Sequence, residues 1–399
     1  MKKLYALTLI SLFIVPFSSA YPILGADVWY SQFIALFLVL FVGLALALWK
    51  FNKYISMFLL LCLFSTVWTH NGEKFICTQN PRQMLCLIQL YGCCYASWVI
   101  SKFSSKQREI LLKTMLVVVF IQGAWVVLQY YNLDPIFNGF GTYMTEGRVD
   151  DTVGFSGSHN QIGVFFAVTS SLVIAYFPYL LPLTIFGLWN STTSAAWLGF
   201  LISSLFICWN YSKKAFIGIV CVLAVSTAIF YSKFEGVSKV ALQERVDIIK
   251  HSMIDLNNGK AVMTRKLVDG RVVKQEVTCT PLLGFGFSNF MQISPYTQRE
   301  YLDLHGVHVY SHAHNDYIEI VYELGSLGAV ALLLLLSNFL YNFIKARKTK
   351  ILLVSSGCIL AQMICALGVF TVHTALSGFL LVLMYGIFKG EIDEQGFKV

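Results

Sequence analysis

The chain has 399 residues, of which 57% are apolar and only 13% are charged, and its mean hydropathy is +0.67. A soluble globular chain carries about 25% charged residues. This composition therefore excludes a soluble protein whose surface is exposed mainly to water, and it also excludes a disordered chain and a nucleic-acid-binding module. The net charge of +8 could suggest a polyanionic partner. Membrane proteins, however, concentrate Lys and Arg in their cytoplasmic loops, so the positions of these residues decide what the charge means.

Twelve apolar runs fit membrane-spanning helices, which need about 20 mostly apolar residues. They cover residues 4–22, 29–49, 54–69, 84–101, 111–130, 161–177, 179–191, 194–210, 215–231, 318–344, 351–371 and 373–388. The run at 179–191 is short and begins beside Pro178, so it could instead be a re-entrant segment, and its removal would invert the orientation of every later span. The sequence predicts an all-α polytopic membrane protein with about 12 transmembrane helices.

The distribution of Lys and Arg favours twelve spans. With that number, sixteen of the 29 cations lie on the side of the N-terminus, including those at 50–53, 102–113 and 345–350. Apart from the loop at 232–317, the loops on the opposite side contain only Lys74, Arg82 and Arg148. Because cation-rich loops remain in the cytoplasm, we predict that both termini are cytoplasmic. Residues 1–20 also fit a cleavable signal peptide, whose removal would delete one span and leave the orientation of the rest unchanged.

Two outward loops are much longer than the others, at residues 131–160 and 232–317. The predicted organisation is therefore nine spans with the first long loop (1–231), a large periplasmic loop between spans 9 and 10 (232–317), three further spans (318–388) and a cytoplasmic tail (389–399). Loops of this length among short ones are more often functional than idle. Within the large loop, residues 234–256 have apolar positions at helical spacing, and residues 262–280 alternate around a turn and predict a hairpin.

Eight of the ten cysteines lie inside predicted spans, where a thiol behaves as a small apolar group. The exceptions are Cys77 and Cys279, which fall in outward loops. An oxidising compartment would permit a disulfide between them, and two unpaired thiols are the alternative.

Residues 307–330, VHVYSHAHNDYIEIVYELGSLGAV, form the strongest candidate site, where the large loop re-enters the membrane. Asn315 fits the N-cap of the following helix, with His314 just outside its first turn. Gly325 and Gly328 predict the close approach of another helix.

Glu319 and Glu323 are spaced four residues apart, on one face of the same predicted helix. An ionisable group in the middle of a bilayer costs about 2.5–3.5 kcal/mol, so such groups are functional candidates. The alternatives are a location in the headgroup region, where the cost is small, and a structural partner within the helix bundle.

The pattern His314-Asn315, nine residues, Gly325, two residues, Gly328 resembles the signature of the O-antigen ligase and O-antigen polymerase superfamily of bacterial envelope glycosyltransferases. The resemblance covers about residues 120–399 and implies a GT-C-like arrangement of helices. Three further elements are similar to those of the family and occur in the same order. They are residues 147–167 with Arg148 and Asn160, Arg245 at the start of the large loop, and PLLGFGFSNF at 281–290 with Gly284 and Gly286.

The sequence departs from the family at one position. Many members have a Ser-Arg pair at the start of the span that here begins with Ser194-Ala195, and that Arg is expected to meet the lipid-linked diphosphate. Arg148 could supply the missing charge.

The resemblance implies that a glycan is moved from undecaprenyl diphosphate to an acceptor hydroxyl at the periplasmic face of the inner membrane, without a metal or cofactor. Arg245 and Arg148 suit the departing diphosphate, because guanidinium groups are permanently charged and match phosphate oxygens. The helix start at Asn315 would add a partial positive charge. Neutral His314 suits the removal of the acceptor proton. The predicted substrate contacts are Asn315, Glu319, Glu323, Asn160, Gly284 and Gly286, with either Glu orienting the imidazole or an Arg.

Other functions remain open from the sequence. His305, His308, His312 and His314 lie close to Asp303 and Asp316, which could indicate a metal site, although the spacing of the carboxylates is unconvincing. A polysaccharide or lipid transporter would also suit twelve spans. Within the superfamily, the acceptor distinguishes three activities: a lipid A core sugar for a ligase, a second lipid-linked glycan for a polymerase, and pilin for a protein glycosylase. The His-Asn pattern favours the ligase.

Overall fold

The computed structural model describes residues 2–18, 53–68, 70–71, 74–75, 81–131, 133–134, 154, 159–191, 193–211, 238–266, 272–287, 289–290, 313–369 and 375–397. Its α-helices in chain order are α1 (Lys2–Ser18), α2 (Lys53–Trp68), α3 (Pro81–Ser101), α4 (Ser105–Tyr130), α5 (His159–Tyr176), α6 (Leu181–Ser191), α7 (Ser194–Tyr211), α8 (Ser238–Asn258), α9 (Asp316–Lys345), α10 (Lys350–Cys365) and α11 (Ala375–Glu394). A 3₁₀ turn covers Pro178–Leu180. The strands are β1 (His70–Asn71), β2 (Lys74–Phe75), β3 (Lys260–Lys266) and β4 (Val272–Thr278).

The fold is mostly helical, as the composition predicts, and every predicted span but two overlaps a helix. The two exceptions, 29–49 and 215–231, lie outside the described residues. Within the described part of the chain, α4, α7 and α9 are long and apolar enough to cross a membrane. The protein is thus a helical membrane protein by length and composition, while twelve spans and cytoplasmic termini stay predictions.

The chain folds into two compact units. The first comprises Met1–Leu40, Cys93–Ile229 and Asn342–Val399. Its centre is built from α5, α7 and α10, which pack closely because small residues face one another. A Cβ atom added at Gly199 would lie 2.7 Å from Cys365 Sγ and 3.7 Å from Ala167 Cβ, and the buried hydroxyls of Ser171 and Ser203 are 2.6 Å apart. Small residues and hydroxyl pairs of this kind are typical of helix packing in membranes.

The first unit also contains a buried ion pair. Arg108, in the first turn of α4, is fully buried, and its guanidinium donates to Glu391 Oε1 at 2.8 and 3.1 Å and contacts the carboxylate of Glu394 at 2.9 Å. Thr349 donates to the second oxygen of Glu391 at 2.8 Å. The sequence interpretation counted Arg108 only as a loop cation, whereas the structure ties it to the C-terminal helix α11.

The second unit comprises Phe41–Gly92 and Phe230–Tyr341. The predicted hairpin is confirmed: β3 and β4 pair antiparallel, with Lys260 opposite Thr278 and Lys266 opposite Val272. The predicted helix in the large loop is confirmed as α8. An apolar cluster joins this helix and the hairpin to the beginning of α9. Its buried members are Ile248, Leu256, Ala261, Val277, Phe285, Phe290, Ala313 and Tyr322.

Candidate functional site

Asn315 caps α9 as its position in the sequence predicts. Its Oδ1 accepts the backbone N–H groups of Tyr317 and Ile318, both at 3.1 Å, and its carbonyl accepts from Glu319 N–H at 3.1 Å. Three N–H groups of the first turn therefore already have acceptors, and the carboxyl-bearing residues Asp316 and Glu319 are both 1% exposed. The partial positive charge that this helix start would add near the diphosphate stays a prediction, and in the structure three of its N–H groups already have acceptors within the chain.

His314 has a φ of 52°, which makes it the one residue other than glycine with a positive φ among the described residues. Non-glycine residues adopt this left-handed conformation rarely, and it is concentrated where the surrounding structure imposes it, often at functional positions. His314 is half-buried, and it directly precedes the cap residue Asn315. The backbone conformation thus sets the direction in which the imidazole leaves the chain.

Gly325 interrupts α9 with a φ of 64° and a ψ of −160°, which is not a helical conformation. The break removes backbone hydrogen bonds from the helix, and a loop at 281–286 replaces them. Two N–H groups of the loop donate to carbonyls before the break, and two N–H groups directly after the break donate to loop carbonyls. The four bonds are Phe285 N–H to Tyr322 O (3.0 Å), Gly286 N–H to Glu323 O (2.8 Å), Ser326 N–H to Pro281 O (3.0 Å) and Leu327 N–H to Leu282 O (3.2 Å).

The two backbones touch at Gly284 and Gly325. A Cβ atom on Gly284 would lie 2.5 Å from Gly325 N, and one on Gly325 would lie 2.4 Å from the carbonyl of Leu282. The sequence predicted a neighbouring helix at Gly325, but the segment that the structure places there is a loop. At Gly328, an added Cβ would meet Leu324 Cβ at 2.4 Å, within the same helix and across the break. The lack of a side chain at Gly325 therefore allows the loop to contact the broken helix, and the lack of one at Gly328 allows the two parts of the helix to pack closely.

Ser65 of α2 joins this arrangement, which we call the Gly325 junction: the break in α9, the loop 281–286 and Ser65. The serine is 1% exposed, and its Oγ lies 3.1 Å from Leu283 O and 3.2 Å from Glu323 O. Sequence reasoning missed Ser65, because its run also contains Ser56 and Thr66 and no signal distinguishes one hydroxyl from another.

Glu319 and Glu323, predicted to contact substrate, are both buried, at 1% and 2% exposure. Glu319 Oε2 accepts from Ala313 N–H at 3.2 Å, and Glu323 Oε1 accepts from Phe290 N–H at 3.0 Å. Both carboxylates thus bind the backbone of the large loop. These contacts could not be predicted from the sequence, because a backbone N–H is present in nearly every residue whatever its side chain.

An aromatic stack supports the same half of the helix. The ring of Tyr322 stacks on Phe285 at 4.7 Å and meets Phe290 edge-on at 5.1 Å. Cys279 lies in the same apolar cluster, where burial and then the nearby Asp255 raise the pKa of its thiol to about 12. Cys279 is a free thiol and Cys77 lies outside the described residues, so their disulfide stays a prediction.

The side chains of both predicted arginines lie outside the described residues. Arg245 lies on α8, but its side chain is outside the described part, as is the whole of Arg148. Asn160 belongs to the first unit, where its Oδ1 accepts from Thr193 Oγ1 at 3.0 Å. Of the residues considered for a metal, His305, His308, His312 and Asp303 also lie outside the described ranges. No group of three or more potential metal ligands occurs within those ranges.

Ala195, at which the sequence departs from the family resemblance, lies in the first unit beside the segment that follows α10. A Cβ atom added at Gly368 would lie 2.8 Å from Cβ of Ala195, and the carbonyl of Ala195 accepts from Cys365 Sγ at 3.7 Å. The small residues at these two positions therefore allow close packing, and the structure gives no further reason for the absence of an Arg.

The long apolar helices indicate a membrane protein, and the candidate site lies around the start of one of them, α9. Residues 179–333 match a family model described as O-antigen ligase, which confirms the family resemblance for this part of the chain. Proteins of this family are membrane enzymes of the glycosyltransferase type, either ligases or polymerases. The matched segment contains His314 and Arg245 but neither Arg148 nor Asn160. No curated protein matches the chain significantly.

Proposed function

We propose that the protein is an O-antigen ligase-like enzyme of the bacterial inner membrane. It transfers a glycan from undecaprenyl diphosphate to a hydroxyl of the lipid A core at the periplasmic face. The observation that carries this proposal is His314, which lies within the family-matched segment and is held in a left-handed conformation immediately before a capped helix. A histidine fixed in this way suits a general base, since histidine is the side chain that most often accepts protons in catalysis near neutral pH.

The proposed reaction is a displacement at C1 of the donor sugar. The acceptor hydroxyl oxygen forms a bond to C1 while the bond between C1 and the diphosphate oxygen breaks, and His314 takes the hydroxyl proton. The electron pair of the broken bond leaves with undecaprenyl diphosphate, whose negative charge Arg245 neutralises, with Arg148 as a second cation. In this scheme the chain itself supplies the base and the cations.

The other predicted residues have supporting roles in the proposed reaction. Asn315 fixes the backbone next to the base, and Gly284 with Gly286 forms the loop seated on the break in α9. Asn160, which the family resemblance implies as a substrate contact, stays a predicted contact to the donor. A polymerase is the second candidate, because Ala195 stands at the position where many superfamily members carry an arginine.

Deletion of the gene followed by analysis of the envelope tests the proposal. A ligase predicts that finished glycan accumulates on undecaprenyl diphosphate and that lipid A core stays unmodified. Single-repeat lipopolysaccharide would instead indicate a polymerase, and unmodified pilin a protein glycosylase.

Complementation then tests the residues. We expect His314→Ala and Arg245→Ala each to lower transfer at least about a hundredfold, on the scale of a lost general base or phosphate contact. His251→Ala and Lys250→Ala, on α8, serve as matched controls and should complement fully. Normal transfer by His314→Ala at normal protein level would refute the mechanism.

A further inference from the structure

The composition of α9 changes at its break at Gly325. The nine residues before the break, 316–324, include three acidic residues, whereas the nineteen residues after it, 326–344, include no Asp, Glu, Lys or Arg. At 1.5 Å per residue, this charge-free segment is about 29 Å long, which matches the hydrocarbon core of a bilayer, about 30 Å thick. The segment therefore fits the core from end to end, and this fit places the break at the edge of the core that is nearer to the candidate site.

The apolar helix α2 indicates a similar depth for the Gly325 junction. Ser65, its member of the junction, lies three residues before the last residue of the helix, Trp68, which is about 4.5 Å along the helix axis. Between Lys53 and Trp68 the helix contains no Asp, Glu or Arg and no second Lys. The junction is thus close to the ends of two charge-free helical segments, where a bilayer changes from hydrocarbon to head groups.

Loop 281–286 has the hydrogen bonding that this depth requires. Hydrocarbon contains no water, so irregular backbone is stable there only where its N–H and C=O groups are paired. Four bonds join the loop to α9 across the break, and Pro281 has no N–H to pair. Five further bonds are Leu283 N–H to Thr280 O (3.0 Å), Gly284 N–H to Thr280 O (2.9 Å), Ser65 Oγ to Leu283 O (3.1 Å), Asn289 Nδ2 to Phe285 O (2.7 Å) and Asn289 N–H to Gly286 O (3.2 Å). A loop in water does not need this pairing, because water satisfies the same groups.

The side chains that the junction exposes are mostly apolar. Leu282 is 54% exposed, and Pro281 beside it is exposed as well. Directly after the break, Leu327 and Val330 are 38% and 52% exposed, and the exposed Ser326 carries no charge. Because Leu327 N–H donates to Leu282 O, the apolar surface of the loop adjoins that of the charge-free part of α9. The surroundings that suit a membrane-spanning helix therefore also suit the loop.

We propose that loop 281–286 is a membrane-embedded part of the large loop, and that its Pro281 and Leu282 side chains contact phospholipid acyl chains at the edge of the hydrocarbon core. The sequence placed this segment outside the membrane, with the rest of residues 232–317. The break at Gly325 leaves backbone groups of α9 without helical partners, and the loop and these groups satisfy one another where water cannot. The inference does not depend on the proposed function.

The proposed reaction would give this contact a purpose. Residues 316–324 form a helical segment of about 14 Å between the cap at Asn315 and the break. One short segment would therefore connect His314 to the edge of the bilayer. Such a connection suits a reaction whose donor is anchored in the bilayer by a lipid chain.

Photo-crosslinking of the full chain in lipid vesicles tests the contact. An amino acid with a diazirine side chain replaces Leu282, the vesicles contain phosphatidylethanolamine and phosphatidylglycerol, and mass spectrometry identifies what the irradiated probe captures. The same probe at Val330 is the control for a lipid-facing position, and the probe at Lys260, whose side chain is 64% exposed on β3, is the control for a water-facing one. We expect the mass of a phospholipid to be added at positions 282 and 330, and the mass of water at position 260.

Two results of this experiment would overturn the inference. The first is capture of water at position 282 together with capture of phospholipid at position 330, because the loop would then lie outside the bilayer. The second is capture of another protein chain at position 282, because the apolar surface would then be a protein interface.

Thermal unfolding in the same vesicles is a second test that needs no probe. A carboxylate is unfavourable at the edge of hydrocarbon, so we expect Leu282→Asp to unfold at least about 3 °C below Leu282→Met. Leu282→Met is the matched variant, because it keeps an apolar side chain of similar volume. Equal unfolding temperatures would show that residue 282 faces water and would contradict the proposal. Neither measurement uses glycan transfer, so both results stay valid if the proposed function fails.

Discussion

The two units bury carboxylates in different ways. In the first unit, Glu391 meets a permanent charge, the guanidinium of Arg108, at 2.8 Å. In the second unit, Glu319 and Glu323 meet backbone N–H groups at 3.2 and 3.0 Å. Both arrangements satisfy buried oxygens. They differ in what they fix: the ion pair holds the start of α4 to the end of α11, whereas the backbone bonds hold a loop next to the proposed base.

This difference predicts different responses to substitution. A side-chain partner can be removed, which leaves a buried charge without compensation, and that is costly. A backbone partner is present whatever the residue, so only the acceptor can be lost. The ion pair should therefore govern stability, while the backbone bonds should govern the geometry of the site.

Removal of Arg108 should have the largest effect on stability. We expect Arg108→Ala to lower the free energy of unfolding by about 3–5 kcal/mol, because Glu391 would stay buried with its charge uncompensated. The loss of folded protein on heating, followed by size-exclusion chromatography in detergent, measures this. Glu394→Gln is the control, since that side chain is 48% exposed and its ion pair should contribute less than about 1 kcal/mol. Equal effects of the two substitutions would contradict the assigned role of Arg108.

The break in α9 gives the next largest expected effect. In Gly325→Ala the added Cβ would lie 2.4 Å from the backbone of Leu282, in a φ of 64° that disfavours any side chain. The loop 281–286 would have to move, at a cost of about 2–4 kcal/mol. Gly396→Ala is a matched control with a φ of 80° and open space around the added atom, so it should cost only the backbone strain of about 1–2 kcal/mol. Thermal unfolding of the two variants measures the difference, and equal losses would show that the junction tolerates a side chain.

The hydroxyl of Ser65 should contribute least. Ser65→Ala removes one hydrogen bond to the junction, but Glu323 O keeps its bond to Gly286 N–H, so we expect a loss of about 1 kcal/mol. Ser337→Ala, at an exposed position of α9, should have no measurable effect. If Ser65→Ala lowered the unfolding temperature no more than Ser337→Ala does, Ser65 would not stabilise the Gly325 junction.

The sequence predicts local features of the site well and long-range ones poorly. The cap at Asn315 depends on a neighbouring helix start, and the β3–β4 hairpin depends on alternation around one turn, so both were accessible from short stretches of chain. The contact of Gly284 with Gly325 joins positions 41 residues apart, and the contact of Ser65 with Glu323 joins positions 258 apart. No local pattern specifies such pairs.

By itself, then, the sequence predicted a helical membrane protein that resembles the O-antigen ligases, because the length of apolar runs and the order of motifs are properties of the linear sequence. Only the tertiary structure decided what the motif residues touch. It assigned Gly325 to a break closed by a loop, and it gave Glu319 and Glu323 backbone donors. The physical reason is that a peptide N–H is the same in nearly every residue, so its partner depends on where folding brings the backbone.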